Sequence, residues 1–210
     1  MIHVVDAENI CQYGPAMEQA HRLRHAVFVD EMGWEELRKP DGIEIDQYDD
    51  SRAVHMLYID DGLVLGYQRL LPTTQPHLLS DLFQDLCDGD RPVGPHVWEW
   101  TRYCVCRPQR ERGVGQSGVA DALIAAIPEW SLPVGIGQMI IELDPIWLLR
   151  LIQLHFRVSP LGLPKRMSGG DVIAITVAFD QRTVARLAQV RGDNRPLIVP
   201  RRAADHRLLA

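Results

Sequence analysis

The chain has 210 residues, of which 46% are hydrophobic and 24% charged, and its formal net charge is -6 at pH 7. This composition is typical of one globular domain over residues 1–210, and the acidic excess argues against general binding to nucleic acid. Because the sequence has neither a run of about 18 apolar residues nor the features of a secretory signal, we expect a cytoplasmic protein without a membrane span. The four cysteines lack zinc-site spacing, so we expect reduced, mostly buried thiols and no metal.

The first elements alternate between strand and helix. HVVDA (residues 3–7) predicts a short strand, and apolar residues at helical spacing predict a helix over about 15–31 that ends at Gly33. The following segment, EELRKPDGIEIDQYDD, is polar and carries a Pro-Asp-Gly turn. A long loop of this kind is often functional.

A hairpin and a short helix are predicted next. AVHMLYID and LVLGYQRLL flank Asp61-Gly62, which favours a two-residue type I′ turn. Ser80 is predicted to cap a short helix, DLFQDLC. The aromatic and branched residues of VWEWTRYCVC (97–106) predict a strand.

The second half alternates again. SGVADALIAAIPEW predicts a helix, QMIIEL a strand, Asp144-Pro145 a helix start and DVIAITVAF a late buried strand. Together the elements predict an α/β or α+β domain built on a single sheet. The arginine-rich tail (about 181–210) has seven arginines against two aspartates between Arg182 and Arg207. We expect it to be a solvated surface, with contact to an acidic partner as the alternative.

A glycine loop between the 97–106 strand and the next helix gives the first chemical indication. Arg110, Gly113 and Gly115 form R-x-x-G-x-G, with Arg112 in the same loop. Exposed backbone N–H groups and a helix dipole at such a position suit a pyrophosphate. The alternative is a surface turn whose glycines supply positive φ. The pattern resembles the acyl-CoA pyrophosphate loop of GNAT-fold N-acyltransferases.

Eight further residues match a longer signature, R-x-x-x-F…W…D-x-x-D…R…E-x-x-R. They are Arg24, Phe28, Trp34, Asp46, Asp49, Arg69, Glu99 and Arg102. With these residues the chain resembles the acyl-homoserine-lactone synthases of the LuxI type over about 20–105, and more loosely to about 180. The resemblance implies a GNAT-like fold, with a central twisted mixed sheet flanked by helices.

The resemblance also implies a two-substrate reaction. Such an enzyme takes S-adenosylmethionine and an acyl thioester as substrates, without a resident cofactor, and releases an N-acyl-homoserine lactone, methylthioadenosine and the thiol carrier. The substrate amine must lose a proton before it attacks the thioester, so Glu99 is the candidate base, with Arg102 as its catalytic neighbour. Backbone N–H groups of residues 103–106 are the expected oxyanion donors.

The S-adenosylmethionine pocket is predicted from the helix and loop of the signature. Phe28 and Trp34 suit a cationic sulfonium and an adenine, although core packing explains large aromatics equally well. Arg24 is expected to anchor the loop through a carboxylate.

The remaining polar positions have both structural and substrate-binding interpretations. Asp46 and Asp49 belong to a solvated acidic loop, bind the substrate ammonium, or pair with Arg24. Arg69 and Arg102 either contact substrate or form structural ion pairs. Thr101 and Tyr103 are grouped with the same network.

Glu99 and Arg102 raise a geometric difficulty, because strict alternation places residues three apart on opposite faces of a strand. We therefore predict a β-bulge between residues 99 and 104 that brings both to one site.

Acyl selectivity is assigned to Trp100, Glu142 and Trp147, with ordinary core packing as the alternative for the two tryptophans. Many relatives that take 3-oxo chains have threonine where this chain has Glu142, which argues against long 3-oxo substrates. KPDGIEIDQYDD, PTTQPHLLSDLF and PLGLP resemble the subgroup that makes branched-chain or aryl homoserine lactones from acyl-CoA, with acyl carrier protein as the alternative donor. We expect a monomer or weak dimer that binds neither nucleic acid nor membrane.

Two other functions stay open at this stage. One is a GNAT-type N-acetyltransferase acting on another amine, which needs no S-adenosylmethionine. The other is a non-catalytic module that binds S-adenosylmethionine.

Overall fold

The computed structural model describes residues 1–110, 118–167 and 169–201. The strands are β1 (Ile2–Val5), β2 (Val54–Asp60), β3 (Leu63–Pro72), β4 (Val97–Val105), β5 (Gln138–Leu143), β6 (Arg157–Pro160), β7 (Lys165–Met167) and β8 (Gly170–Ala178). The α-helices are α1 (Gly14–Arg24), α2 (Leu78–Asp81), α3 (Arg107–Arg110), α4 (Gly118–Ser131), α5 (Trp147–Gln153) and α6 (Gln181–Arg191). No helix among the described residues is long and apolar enough to cross a membrane.

The strands form one mixed sheet in the order β1-β2-β3-β4-β5-β8-β6, with β7 paired to β8. The predicted α/β fold with a central mixed sheet flanked by helices is confirmed. The β4–β5 pair is parallel and short, since its register runs only from Val97↔Gln138 to Glu99↔Ile140. Both strands continue beyond these pairs, so they part after Glu99.

The two faces of the sheet are covered by different helices. Leu70 of β3 packs in one core cluster with Leu123 of α4, and Tyr67 packs in another with Met17 of α1. This division follows from the alternation of side chains along a strand. Helix α4 lies very close to β3, because a Cβ at Gly66 would stand 2.7 Å from Leu123. A larger residue at that position would force the side chains of Leu123 and Val119 to shift.

The helix predicted over 15–31 changes type part-way. It is α-helical over Gly14–Arg24 and continues as a π-helix over His25–Glu31. π-Helical turns are frequent at functional sites. Gly33 follows with φ 73°, in agreement with the predicted helix end.

The predicted type I′ turn and the predicted bulge are both present. Asp61 and Gly62 have φ of 47° and 74°. The register between β3 and β4 shifts from Tyr67↔Cys104 to Arg69↔Thr101, so two residues of β4 stand opposite one of β3. Arg102, one of these two, has φ 53°. The bulge confirms the expectation for residues 99–104.

Three local predictions were wrong. Helix α2 begins at Leu78 rather than after Ser80, whose hydroxyl instead accepts the His77 N–H at 2.8 Å. Strands β6 and β7 were missed because they are short and polar. Of the four cysteines, only Cys104 is buried.

The C-terminal segment is more ordered than a solvated tail. It begins with α6, and backbone hydrogen bonds then join Ile2 to Leu197 (2.9 Å) and Val199 to Ile2 (2.8 Å). The part up to residue 201 therefore belongs to the fold.

Candidate active site

Three arginines and three carboxylates meet between the sheet and the 43–49 loop. The arginines come from α1, β3 and β4, and their side chains, like those of the carboxylates, are at most 9% exposed. We call this group the arginine–carboxylate cluster; its members are Arg24, Arg69, Arg102, Glu44, Asp46 and Asp49.

The cluster is built from paired, charge-assisted hydrogen bonds. Arg24 donates to both oxygens of Asp49, at 2.7 and 2.9 Å, and pairs with Glu44 through its Nε. Arg69 donates to both oxygens of Asp46, at 2.6 and 3.0 Å. Three positive charges balance three negative ones, which is the condition under which buried ions are tolerated.

Electrostatics keep these groups ionised. Burial by itself raises the pKa of Asp49, but the charges of Arg24 and Arg69 outweigh it and hold that pKa far below the ordinary value. The pKa of Asp46 is likewise lowered, by hydrogen bonds and charge from Arg69 against the effect of burial. The solvated-loop interpretation of Asp46 and Asp49 is therefore wrong. Their bound oxygens fix the loop to the sheet.

Arg102 extends the cluster to a pair of stacked rings. Its Nη2 donates to Asp46 at 2.7 Å, and its guanidinium carbon lies 5.7 Å from the Phe28 ring centre and 5.9 Å from that of Trp34. Phe28 and Trp34 stack with centroids 5.0 Å apart and planes at 19°. In this arrangement the two rings contact each other and leave no space between them.

Glu99 lies on the same face of β4 as Thr101 but has different partners. It is fully buried, and its two oxygens accept the backbone N–H groups of Leu78 (2.9 Å) and Leu79 (2.7 Å) at the start of α2. Burial raises the pKa of Glu99, and the two amide hydrogen bonds only partly oppose it. None of the ion pairs within 1–110, 118–167 and 169–201 includes this carboxylate. Glu99 is thus held in orientation without being neutralised by an arginine.

Comparison with known proteins decides the family. The autoinducer synthase model matches residues 9–187. The chain belongs to the autoinducer synthase family.

Relatives of this autoinducer synthase include close structural matches. The chain is 39% identical over 185 residues to an isovaleryl-homoserine lactone synthase of Bradyrhizobium diazoefficiens, covering 88% of this chain and 82% of the relative. It resembles the structure of the CoA-dependent acyl-homoserine lactone synthase BjaI with SAM and isopentyl-CoA (TM-score 0.89, 37% identity, 96% of this chain and 94% of that one). The CoA-dependent synthase MesI gives a TM-score of 0.85 at 29% identity, over 98% and 100% of the two chains.

The GNAT-like character of the fold has separate support. A structure from Lactobacillus plantarum named as an N-acetyltransferase matches with a TM-score of 0.55 at 20% identity, over 85% of this chain and 99% of that one. At this identity the likeness concerns the fold alone.

The bulge divides the site residues predicted on β4. Thr101 Oγ1 accepts the Arg69 Nε–H at 3.2 Å, so Thr101 joins the arginine–carboxylate cluster. Tyr103 does not, because it lies on the opposite face, edge-on to Trp100 with ring centres 5.9 Å apart. Its hydroxyl donates to the Ala120 carbonyl at 3.4 Å. The grouping of Tyr103 with the substrate network was wrong.

The predicted acyl-pocket residues are also separated. Trp147 lies 6.4 Å from Tyr103 between ring centres and so continues the aromatic contact that begins at Trp100. Glu142 lies on the opposite face of the sheet from Trp100, the face of Glu99, with which it interacts electrostatically. The three residues do not line one wall.

Only the first residue of the predicted CoA loop can be placed. Arg110 pairs with Glu31 at the end of the π-helix. Arg112, Gly113 and Gly115 lie outside the described residues. Of the expected oxyanion donors, the Cys106 N–H is already donated to the Leu65 carbonyl at 2.9 Å.

Sequence reasoning missed Glu44 and the contact between Glu99 and Glu142. Glu44 is 1% exposed and joins Arg24 to Arg102. The available signal was the alternation of acidic residues in GIEID, opposite arginines that needed partners.

Proposed function

We propose that the protein makes an N-acyl-homoserine lactone from S-adenosylmethionine and a branched-chain acyl-CoA. The observation that carries this proposal is the meeting of signature residues from α1, the 43–49 loop, β3 and β4 on one side of the sheet, in a chain that belongs to the autoinducer synthase family. Arg69 and Thr101 face each other across the strands, next to the pair formed by Leu71 and Glu99. The base candidate and the cluster therefore share a face.

The first chemical step is removal of a proton from the substrate ammonium. An α-amine has an ordinary pKa of about 7.7–8.0, so a nearby carboxylate with a raised pKa is well matched to accept its proton, directly or through water. Glu99 is the carboxylate with that property on this face. Its orientation is fixed by the Leu78 and Leu79 amides.

The free amine then attacks the thioester carbonyl carbon. The new C–N bond forms as the C–S bond to CoA breaks, and the proton removed from the nitrogen leaves with the CoA thiol. Strands β4 and β5 part after Glu99, and we propose that the thioester lies between them, beside the base. Backbone N–H groups of β4 are the proposed oxyanion donors, with that of Cys106 excluded by its bond to Leu65.

Ring closure follows on the acylated intermediate. A carboxylate oxygen of the methionyl group attacks Cγ, the Cγ–S bond breaks, and the sulfonium leaves as neutral methylthioadenosine. The main contribution of the protein to this step is to hold the chain curled. The cation of the sulfonium suits the outer face of the Phe28–Trp34 stack.

The arginine–carboxylate cluster supports this site without reacting. Each of its carboxylates already binds an arginine, so Asp46 and Asp49 position the loop and Arg102 rather than accept the proton. Arg102 then supports the aromatic stack from one side. We propose that the substrate contacts only the Phe28–Trp34 stack and not the buried ion pairs.

The donor proposal rests on the relatives. The synthase from Bradyrhizobium diazoefficiens is named for an isovaleryl product, and BjaI was solved with isopentyl-CoA. We therefore favour a branched-chain acyl group over an aryl one. Both proposed substrates are cytoplasmic metabolites, and the product belongs to the quorum-sensing signals, so we place the reaction in the cytoplasm.

The experiment is product analysis by mass spectrometry. Purified protein receives S-adenosylmethionine with acetyl-, hexanoyl-, isovaleryl- or cinnamoyl-CoA, or with hexanoyl carrier protein. We expect an acyl-homoserine lactone, with the highest rate from isovaleryl-CoA. Product from the carrier protein alone would contradict the proposal that acyl-CoA is the donor. Absence of lactone with every donor would contradict the proposed reaction.

A further inference from the structure

Glu142 stands at the point where β4 and β5 part. It lies just beyond Ile140, the last residue of β5 that pairs with β4, and its backbone pairs with Ala174 of β8 on the other side. Ile140, two residues before Glu142, pairs with Glu99, so the alternation of side chains places Glu142 on the same face as Glu99, where the two carboxyl groups interact. Two carboxylates in such contact repel each other unless they share a proton.

The hydrogen bonds around the pair favour a proton on Glu142 rather than on Glu99. Both Glu99 oxygens accept backbone N–H groups, which favours the ionised form of Glu99. The Oε1 atom of Glu142 is buried and has no donor among the described residues. An ionised oxygen in that position is costly, whereas a protonated one gains an acceptor in Glu99.

We propose that Glu142 carries a proton that it donates to the Glu99 carboxylate, so that the pair holds one negative charge and Glu142 acts as a positioning residue for the base. A carboxylate beside a neutral acid keeps its charge and a fixed orientation. The catalytic part of this inference rests on the proposed function, whereas the placement of the proton does not.

The electrostatic environment agrees with this placement. Burial raises the pKa of Glu142 well above its ordinary value, the negative charge of Glu99 raises it further, and Arg102 opposes both. On Glu99, burial raises the pKa while the amides, His77 and Arg69 lower it. The proton therefore stays on Glu142.

His77 is the other titratable group beside the pair. It is fully buried, and its Nδ1 donates to the Gln75 carbonyl oxygen at 2.8 Å. Its Nε2 has no partner among the described residues. Every pH experiment is therefore repeated in a His77→Gln background, so that any contribution of His77 is separated from that of the pair.

The first test measures the unfolding equilibrium of the wild type and of Glu142→Gln against pH. A glutamate ionises near pH 4.3 when unfolded but keeps its proton when folded here, so the folded state binds one more proton than the unfolded state. Stability from this group is fully present below that pH and is lost as the pH rises toward the higher folded pKa. The folding constant of the wild type relative to Glu142→Gln should fall by up to about tenfold per pH unit above pH 5.

Exposed Glu36 supplies the matched control, because Glu36→Gln removes the same charge from solvent. We expect its pH dependence to follow the wild type. If Glu142→Gln also runs parallel to the wild type between pH 5 and 8, Glu142 is ionised in the folded protein and the inference is overturned, whatever reaction the protein catalyses.

The second test concerns catalysis. A glutamine at 142 still offers an N–H to Glu99, so Glu142→Gln should keep kcat/KM within about threefold at pH 7. Glu142→Leu removes the donor, and the acid limb of its pH profile should move up by about one to two units, as expected for one hydrogen bond to a charged group. If both variants are impaired equally and their acid limbs do not move, Glu142 does not position the base. Absence of lactone from the wild type would count against the proposed function. The unfolding test would then decide whether Glu142 is protonated in the folded protein.

Discussion

Two groups of buried charges lie on the same face of this sheet, and they are satisfied to different degrees. In the arginine–carboxylate cluster each carboxylate meets an arginine. Glu99 and Glu142 instead face each other; Glu99 accepts two backbone amides, and Glu142 has a buried oxygen without a donor among the described residues. A fully paired cluster fixes structure, whereas a carboxylate that is not paired with an arginine is suited to accept a proton.

The largest expected change in the free energy of unfolding comes from removing one member of the arginine–carboxylate cluster. Arg24→Met leaves Glu44 and Asp49 short of a partner in a fully buried site. Removing one partner of a buried ion pair typically costs about 3–5 kcal/mol. Denaturant unfolding should show a loss of this size.

Arg22 gives a matched control on the same helix. It pairs with Glu18 at 2.8 Å, but its side chain is 53% exposed, so Arg22→Met should change the free energy of unfolding by less than about 1 kcal/mol. Similar losses for the two variants would show that burial and pairing do not distinguish Arg24.

A smaller effect on folding, but a large one on turnover, is expected from Glu99→Gln. The amide cannot accept a proton from the substrate amine, so kcat should fall by roughly 10²–10⁴-fold. S-adenosylmethionine binding, measured by calorimetry, should be largely retained because the arginine–carboxylate cluster is untouched. Unchanged turnover would remove Glu99 from the role of base.

The smallest effect is expected at the edge of the site. Trp34→Leu removes the outer ring of the stack and its contact with Arg102. A cation over an aromatic face contributes about 0.5–2 kcal/mol, so the KM for S-adenosylmethionine should rise by about two- to thirtyfold with little change in kcat.

Trp130→Leu is the matched control for that change. Trp130 is also half-buried and stacks edge-on with Trp98, at 5.4 Å between ring centres, away from the cluster. We expect its KM to equal that of the wild type. Equal increases in both variants would assign the effect to general loosening of the fold.

Local pattern predicted much of this structure. The eight-residue signature and the Asp61-Gly62 turn depend on short spacings. Strict alternation would place Glu99 and Arg102 on opposite faces of the strand, and this predicted a bulge that is present. The face on which Tyr103 lies was less predictable. The exact residue at which the bulge occurs decides on which face of the sheet the following side chains of β4 lie. The contact of Glu99 with Glu142 joins two strands that part, and no periodicity within either strand encodes it.

The most direct test of the account is the stoichiometry of the wild-type reaction with S-adenosylmethionine and isovaleryl-CoA. Free CoA thiol, methylthioadenosine and lactone are measured in the same sample over time. The account predicts one thiol and one methylthioadenosine for each lactone formed. Thiol released with another amine but without methylthioadenosine would indicate an N-acetyltransferase type of reaction, and binding of S-adenosylmethionine without any product would indicate a non-catalytic module; either result would contradict the account.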